Sequence, residues 1–450
     1  MSMKISFISL GCDKNLVDSE KMLTLVRNAG HEVVAEGEEA DIIVINTCCF
    51  IHDAKEESIE AILEVAELKK EGLVTGIIVT GCLAERYKEE IQKEIEEVDS
   101  VLGTASYGEI VKAVSAIERQ QKYNKFTDLR EPLEREEIER ISTSGNHLAY
   151  LKIAEGCNKG CSYCIIPKVR GPFRSFTMEQ LLDEAKYLAS QGAKELILVA
   201  QETTLYGVDI YGEKKLPELL RRLCKVEGIE WIRLLYAYPE EITEQLIQVM
   251  KEEEKICSYI DMPIQHSSDA VLKRMGRRTN QKELKEKIAL LRREIPDITI
   301  RTTLISGFPG ETREDQEIQL DFVNEMEFDR LGVFTYSREE GTRADKMEDQ
   351  IDEDIKRSRR DEIMELQQEI SYEKNEALVG KTIKVLVEGY LYEEDIYVGR
   401  SEKDAPKVDG CVFFTSEEEV ISGDFVFVKI TEANEYDLIG DVIYGNELTK

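Results

Sequence analysis

The chain has no run of eighteen or more apolar residues, so no segment is long enough to cross a bilayer as an apolar helix. Its opening, residues 1–11, reads as a short strand, with polar Asp13, Lys14 and Asn15 almost immediately behind it. It lacks the order of basic, apolar and small residues that makes a secretory signal. Export is therefore not expected, and a cytoplasmic setting is. There, ten cysteines argue for metal or catalytic work rather than for a disulfide framework. Basic charge is scarce: 59 Lys and Arg face 91 Asp and Glu, a net charge of −32. Such a surface repels nucleic-acid phosphates and steers towards basic partners. Internal repeats and low-complexity tracts are also missing, and 450 residues suggest about three ordinary domains.

What is present is concentrated in six of the cysteines, which fall into two triplets. Cys12, Cys48 and Cys82 are dispersed, each directly after an apolar, strand-like run. Cys157, Cys161 and Cys164 are compact, in the run Glu-Gly-Cys-Asn-Lys-Gly-Cys-Ser-Tyr-Cys. Iron–sulfur clusters are normally held by four thiolates. Three per cluster leaves one iron open, as a catalytic metal requires.

The periodicity predicts a multidomain α/β chain. Strands are expected at 4–10, 41–46 and 75–80, with helices at 19–29 and 55–70 between them, hence a parallel sheet with helices on its faces. The runs end Ser-Leu-Gly-Cys12, Ile-Asn-Thr-Cys48 and Val-Thr-Gly-Cys82. Ligands of such sheets bind at the carboxyl ends of the strands, so the three thiols are expected to converge there. Cys48 holds the position equivalent to Cys12 and Cys82, which makes Cys49 a neighbour rather than a ligand. Residues 121–146 lose periodicity and read as a linker. Six strands, 150–154, 195–200, 231–238, 259–264, 298–305 and 331–336, alternate with amphipathic helices, which suits a partial (β/α)6 barrel of the TIM type. A long charged helix, 352–378, leads to strands at 382–388, 397–400, 424–431 and 441–444, a small β-barrel. The expected division is 1–120, a linker at 121–146, 147–375 and 376–445.

The Cys-x3-Cys-x2-Cys spacing fits neither a common zinc site nor a four-cysteine ferredoxin run, and no cysteine or histidine nearby closes it. It resembles the motif of the radical S-adenosylmethionine superfamily. The resemblance implies a 4Fe-4S cluster whose open iron binds S-adenosylmethionine and, with one electron, releases a 5′-deoxyadenosyl radical. It also implies that Tyr163 lies near the adenine. The whole chain is similar to the methylthiotransferases. The run Ser9-Leu-Gly-Cys-Asp-Lys-Asn-Leu-Val-Asp-Ser-Glu20 resembles the opening signature of the RimO branch. Asn46-Thr-Cys48, Thr80-Gly-Cys82, Arg170-Gly171, Pro263-Ile-Gln-His-Ser267 and Gly307-Phe-Pro-Gly-Glu-Thr312 match further blocks. Asp13 replaces a usual proline and Cys49 a usual glycine.

This resemblance implies two 4Fe-4S clusters. The one on Cys157, Cys161 and Cys164 makes the radical; the one on Cys12, Cys48 and Cys82 presents sulfur, methylated by a second S-adenosylmethionine. The implied target is the β-carbon of one aspartate in the basic decoding-centre protein of the small ribosomal subunit. A reductant such as flavodoxin or ferredoxin and a sulfur donor are implied as partners. The last domain is similar to the TRAM (OB-like) module, which binds tRNA in relatives. Here residues 376–450 carry 17 acidic against 7 basic side chains, which disfavours tRNA and suits a basic protein. Further candidates for cosubstrate contact are Gln201, Glu202, Gly307 and Gly310. His266 reads as a structural group. Arg274, Arg277 and Arg278 read as a solvated helix end, and Cys224, Cys257 and Cys411 as ordinary buried thiols.

Overall fold

The computed structural model describes residues 2–35, 39–133 and 139–444. Positions 134–138 of the expected linker and Gly445, at the expected end of the last domain, lie outside the described residues. The first unit is a six-stranded sheet of β1 (Lys4–Ser9), β2 (Glu32–Val33), β3 (Ile42–Thr47), β4 (Gly76–Gly81), β5 (Ser100–Leu102) and β6 (Tyr123–Lys125). Every pairing is parallel, in the order β2-β1-β3-β4-β5-β6. The central β3 and β4 are buried throughout, as a parallel sheet covered on both faces demands. Alternate side chains divide into two apolar clusters. Ile43, Ile45, Ile77 and Val79 enter one, and Ile42, Val44 and Ile78 the other.

Two expectations change here. The short strands β2, β5 and β6 were not foreseen, and β6 belongs to this sheet although it lies in the stretch read as linker. Helix α1 (Asp13–Asn28) begins six residues before the expected start, directly after Cys12. Its buried positions include Lys14, Asn15, Asp18, Glu20 and Lys21. A helix that buries polar residues escapes a search for apolar periodicity.

The second unit contains β7 (Leu148–Lys152), β8 (Ala154–Glu155), β9 (Arg174–Ser175), β10 (Glu195–Val199), β11 (Trp231–Leu234), β12 (Ile256–Asp261), β13 (Thr299–Ser306) and β14 (Arg330–Thr335). β7 and β10 to β14 form a parallel sheet in chain order, and among the described residues no pairing joins β7 to β14. That is the expected open six-stranded barrel. The run expected as a strand over 231–238 stops at Leu234, because the chain turns out of the sheet through Tyr236, at φ 59°. The strand expected over 259–264 lies three residues earlier. β8 and β9 pair antiparallel and tie off, at its base, the loop that carries the compact cysteines.

The third unit is a closed barrel of β15 (Thr382–Leu391), β16 (Ile396–Ser401), β17 (Val412–Thr415), β18 (Phe425–Ala433) and β19 (Leu438–Val442), in the order β15-β16-β17-β19-β18. β17 was not foreseen, and β19 lies earlier than the expected strand at 441–444. The long helix Glu353–Glu376 connects the two barrels.

The inward side chains of the six-stranded barrel, including Leu148, Tyr150, Ile197, Val199 and Tyr259, pack with Leu16 and Val17 of α1 and with Leu386, Ala405 and Phe425 of the last barrel. Both neighbouring units thus contribute to one apolar core. The last barrel is also fixed by charge. Glu195, the first residue of β10, takes Arg233 Nε at 2.7 Å on one carboxylate oxygen and Arg400 Nη2 at 2.6 Å on the other. All three side chains are buried. Burial alone would raise the Glu195 carboxyl, yet Arg400 and Arg233 hold it down to about 2. Its contribution is complete above the ordinary carboxylate value of 4.5 and is lost as pH falls towards 2. Removing one member of a buried charge group strands the others, at about 3–5 kcal/mol. Glu195→Ala is therefore expected to lower the unfolding free energy by about that much at pH 7, in urea denaturation followed by tryptophan fluorescence. A change below about 1 kcal/mol would remove this triad from the account of barrel docking.

Candidate functional site

β1, β3 and β4 are neighbours in the first sheet, and each delivers a cysteine at its carboxyl end. Cys48 follows Thr47 and Cys82 follows Gly81 directly, while Cys12 stands immediately before α1, three residues beyond β1. Gly11 has a φ of 83°, and a Cβ there would lie 2.6 Å from Cys48 Cβ and 2.8 Å from Cys48 Sγ. Only glycine lets the Cys12 turn approach Cys48 so closely. Asn15 fastens the arrangement: its amide donates to Leu10 O and Thr47 O, both at 3.0 Å, and Asn46 Nδ2 donates back to Asn15 O at 2.8 Å.

Burial, with Cys82 and Cys12 as neighbours, pushes the Cys48 thiol up to about 12. Cys82 is raised by burial, against the pull of Arg170. Cys49 has a different environment. It is completely buried in the apolar cluster under β3 and β4, and it faces Cys82 and Arg86. Arg86 is itself held by Glu339 at 2.7 Å.

The compact triplet lies on the loop between β8 and β9, at the carboxyl edge of the six-stranded barrel. Gly156, at φ 74°, has no room for a Cβ, which would meet Pro172 O at 2.1 Å. Backbone bonds shape the loop: Cys157 N to Gly171 O at 3.1 Å, Cys164 N to Cys161 O at 3.2 Å and Ser162 N to Met275 O at 2.8 Å. Lys159 N–H points at Cys157 Sγ, 3.4 Å away. Cys157 and Cys161 are buried and Cys164 is half-buried. Burial brings the Cys157 thiol up to about 11 and also raises Cys164.

Between the triplets lies a buried group of four charges. Arg170 donates from Nε to Cys82 Sγ at 3.4 Å, and from Nη1 to Asp18 Oδ2 at 2.7 Å and Glu155 Oε1 at 3.1 Å. Its Nη2 also bonds Asn15 Oδ1. Lys152 Nζ pairs with Asp18 and, at 2.6 Å, with Glu155. Burial would raise the Glu155 carboxyl, but Lys152 and Arg170 bring it down to about 2. Asp18, Glu155 and Arg170 lie inside the sequence blocks quoted above but had no role there, and Lys152 did not stand out, because each partner is either far along the chain or hidden in a strand.

The remaining candidates gather unevenly. Tyr163 is half-buried beside Cys161 and makes an edge contact with Phe308 at 6.4 Å. Glu202 is completely buried, and burial pushes it up to about 7 despite Lys159 at 3.6 Å. Gln201 Oε1 and Glu202 Oε2 are buried without a hydrogen-bond partner. Gly307 and Gly310 shape a turn closed by protein, since a Cβ would meet Lys356 Cγ at 2.2 Å and Arg274 Nη2 at 1.9 Å. In the same turn the N–H groups of Gly307 and Phe308 donate to Glu311 at 2.8 and 3.1 Å. His266 is buried, with Nδ1 accepting from Ser268 N at 2.9 Å.

Arg277 corrects an expectation. It is not solvated but buried over the Tyr238 ring at 4.3 Å, and the Tyr238 hydroxyl lies 3.9 Å from Cys161 Sγ. A helix-end arginine is legible as surface only when no aromatic ring reaches it. Cys224 and Cys257 lie in apolar clusters, and Cys411 is half-buried in the last barrel.

The spacing of each triplet tests what it fits. Three thiolates on one zinc ion lie about 3.8 Å apart. Among the described residues the only three-residue group with ligand atoms within 4.8 Å of one another is the exposed His52, Asp53 and Glu56. Neither cysteine triplet is that tight. Three cysteines gathered at one edge are the donor set that an iron–sulfur cluster with one open iron would take.

Comparison with known proteins agrees with this architecture. Residues 4–103 match the Uncharacterized protein family UPF0004, residues 151–322 the Radical SAM superfamily, and residues 379–443 the TRAM domain. The fold is shared with a solved radical S-adenosylmethionine methyltransferase, TsrM from Kitasatospora setae, at a TM-score of 0.55 and 14% identity over 74% of this chain and 75% of that one. These matches define a radical S-adenosylmethionine protein with a TRAM domain.

A narrower grouping comes from whole-length relatives. The chain is 59% identical to a ribosomal protein uS12 methylthiotransferase RimO of Lachnoclostridium phytofermentans, over 97% of this chain and 99% of the relative. It is 49% identical to the protein of that name in Clostridioides difficile, over 98% and 99%. The chain belongs to the RimO family.

The separate surroundings of Cys48 and Cys49 lead to a prediction. In a chain with Cys157, Cys161 and Cys164 changed to Ala, Cys48→Ala is expected to remove most of the remaining iron and acid-labile sulfide after anaerobic reconstitution. Cys49→Ala is expected to keep it. The reverse result would exchange the two assignments.

Proposed function

We propose that this chain transfers a methylthio group to the β-carbon of one aspartate of ribosomal protein uS12. The observation that carries the reading is the 59% identity to a RimO protein across 97% of the chain. The two cysteine triplets at the mouths of the two α/β units support it. In this reading Cys157, Cys161 and Cys164 hold one 4Fe-4S cluster, and Cys12, Cys48 and Cys82 hold a second. Bound S-adenosylmethionine and the clusters supply radical hydrogen abstraction and sulfur delivery, because an unactivated C–H bond is out of reach of side-chain acids and bases.

The chain's own residues bind and orient. Gly156 and the Gly171 carbonyl wrap the compact loop tightly. Tyr163 contributes an apolar wall beside Cys161. Gln201 Oε1 and Glu202 Oε2 accept no hydrogen bond from the protein, although Lys159 Nζ stands 3.6 Å from Glu202 Oε2, and both oxygens suit the hydroxyl and ammonium groups of a bound cosubstrate. Gly307 and Gly310 set the turn after β13 at the same mouth. Asn15, Asn46 and Gly11 keep Cys12, Cys48 and Cys82 together at the edge of the first sheet.

We assign 1–120, together with β6, to sulfur delivery, the rest of 121–146 to the connection, 147–375 to radical formation and 376–445 to substrate docking. The last unit has 17 acidic and 7 basic side chains over 376–450, which favours a basic protein over phosphate. Flavodoxin or ferredoxin is assigned as reductant, with a separate sulfur donor. No helix among the described residues is long and apolar enough to cross a membrane, in keeping with a cytoplasmic site of action.

The test is anaerobic. Reconstituted protein receives S-adenosylmethionine, reductant, and either uS12 or tRNA. 5′-Deoxyadenosine and a methylthio mass gain on the uS12 peptide containing the target aspartate are expected. A gain confined to tRNA nucleosides, or no 5′-deoxyadenosine, would contradict the reading.

A further inference from the structure

We propose that Arg170 is a positioning residue that couples the two cysteine sites and raises the reduction potential of the cluster on Cys12, Cys48 and Cys82. The inference rests on both triplets holding clusters.

Arg170 is 2% exposed and belongs to the second unit, on the loop between the compact cysteines and β9. Its guanidinium nevertheless reaches the first unit. Nε–H is aimed at Cys82 Sγ at 3.4 Å, while the other nitrogens go to Asp18, Asn15 and Glu155. Glu155 is two residues before Cys157, so one planar group contacts a sulfur of one site and the base of the loop that carries the other.

Hydrogen bonds to the sulfurs and local charge are two of the terms that set an iron–sulfur potential. Reduction adds one electron to the cluster, taken from an external reductant, and makes the cluster more negative. A buried cation that donates to a ligand sulfur favours that reduced form, and low dielectric magnifies the effect. The surrounding group balances this charge. Asp18 and Glu155 are two anions, and Lys152 and Arg170 are two cations. Removing the arginine leaves an uncompensated anion near Cys82, whereas neutralising Glu155 leaves an uncompensated cation. The two changes should therefore move the potential in opposite directions, which loss of shape alone would not do.

The measurement uses full-length chain with Cys157, Cys161 and Cys164 changed to Ala, so that only the first cluster remains. Its midpoint is followed by electron paramagnetic resonance during stepwise reduction with dithionite. In that background Arg170→Gln is expected to lower the midpoint by at least 59 mV, a tenfold drop in the reduced-to-oxidised ratio for one electron. Glu155→Gln is expected to raise it, and Arg170→Lys to fall between Arg170→Gln and the parent. If Arg170→Gln does not fold, Glu155→Gln decides alone. Midpoints that stay put, or move the same way in the Gln variants, overturn the proposal. A parent that binds no iron overturns the cluster assignment, and this proposal with it.

Discussion

The buried group of Asp18, Lys152, Glu155 and Arg170 is the contact on which the relation between the first two units depends. Two of its members stand on β7 and β8, one on α1 and one on the loop after the compact cysteines. Charges out of water are tolerated only when their remaining hydrogen-bonding capacity is met. Here Cys82 takes the arginine Nε–H and Asn15 an Nη2–H beside the two that go to the carboxylates. Breaking the group would leave charges stranded, so it fixes the carboxyl edge of the first sheet against the mouth of the second. Lys14 over the Tyr236 ring at 3.5 Å, and Arg86 and Lys55 on Glu339, add contacts across the same boundary.

Parallel topology accounts for the rest of the site. Every strand in the first two sheets runs the same way within its sheet, so each unit has a single carboxyl edge where loops collect. Three cysteines follow three adjacent strands at one edge; three more sit on one loop at the other. The last barrel is fixed by Glu195 and Arg330, each the first residue of its strand, so it takes the opposite, amino-terminal end. Its Arg400 and Asp404 are the anchoring partners there. With the last barrel behind the six-stranded one, the mouth stays free for the two cysteine triplets.

Much of this was legible in the sequence because it is local. The Cys-x3-Cys-x2-Cys spacing, the glycines beside Cys12 and Cys82, and the apolar runs before the dispersed cysteines are all short-range signals. What escaped was long-range or polar. α1 hides Asp18 and Asn15 on a buried face that no apolar period marks, and Arg170 gains meaning only when Cys82 and Asp18 arrive from more than 80 residues away. Arg277 looked solvated until Tyr238 was placed beneath it. The run at 231–238 looked like one strand because its last residues are aromatic and apolar, yet they leave the sheet so that Tyr236 can meet Lys14. β5 and β6 are three residues each, too short for a two-residue period to stand out.

In the proposed function this chain would hold two iron–sulfur clusters, each on three cysteines, one on either side of Arg170. Iron-edge anomalous diffraction from crystals of anaerobically reconstituted protein tests it directly. Two separate iron peaks are expected, one bonded to Cys12, Cys48 and Cys82 and one to Cys157, Cys161 and Cys164, with Cys49 bonded to neither. A single peak, or a fourth protein ligand closing either cluster, would contradict the account.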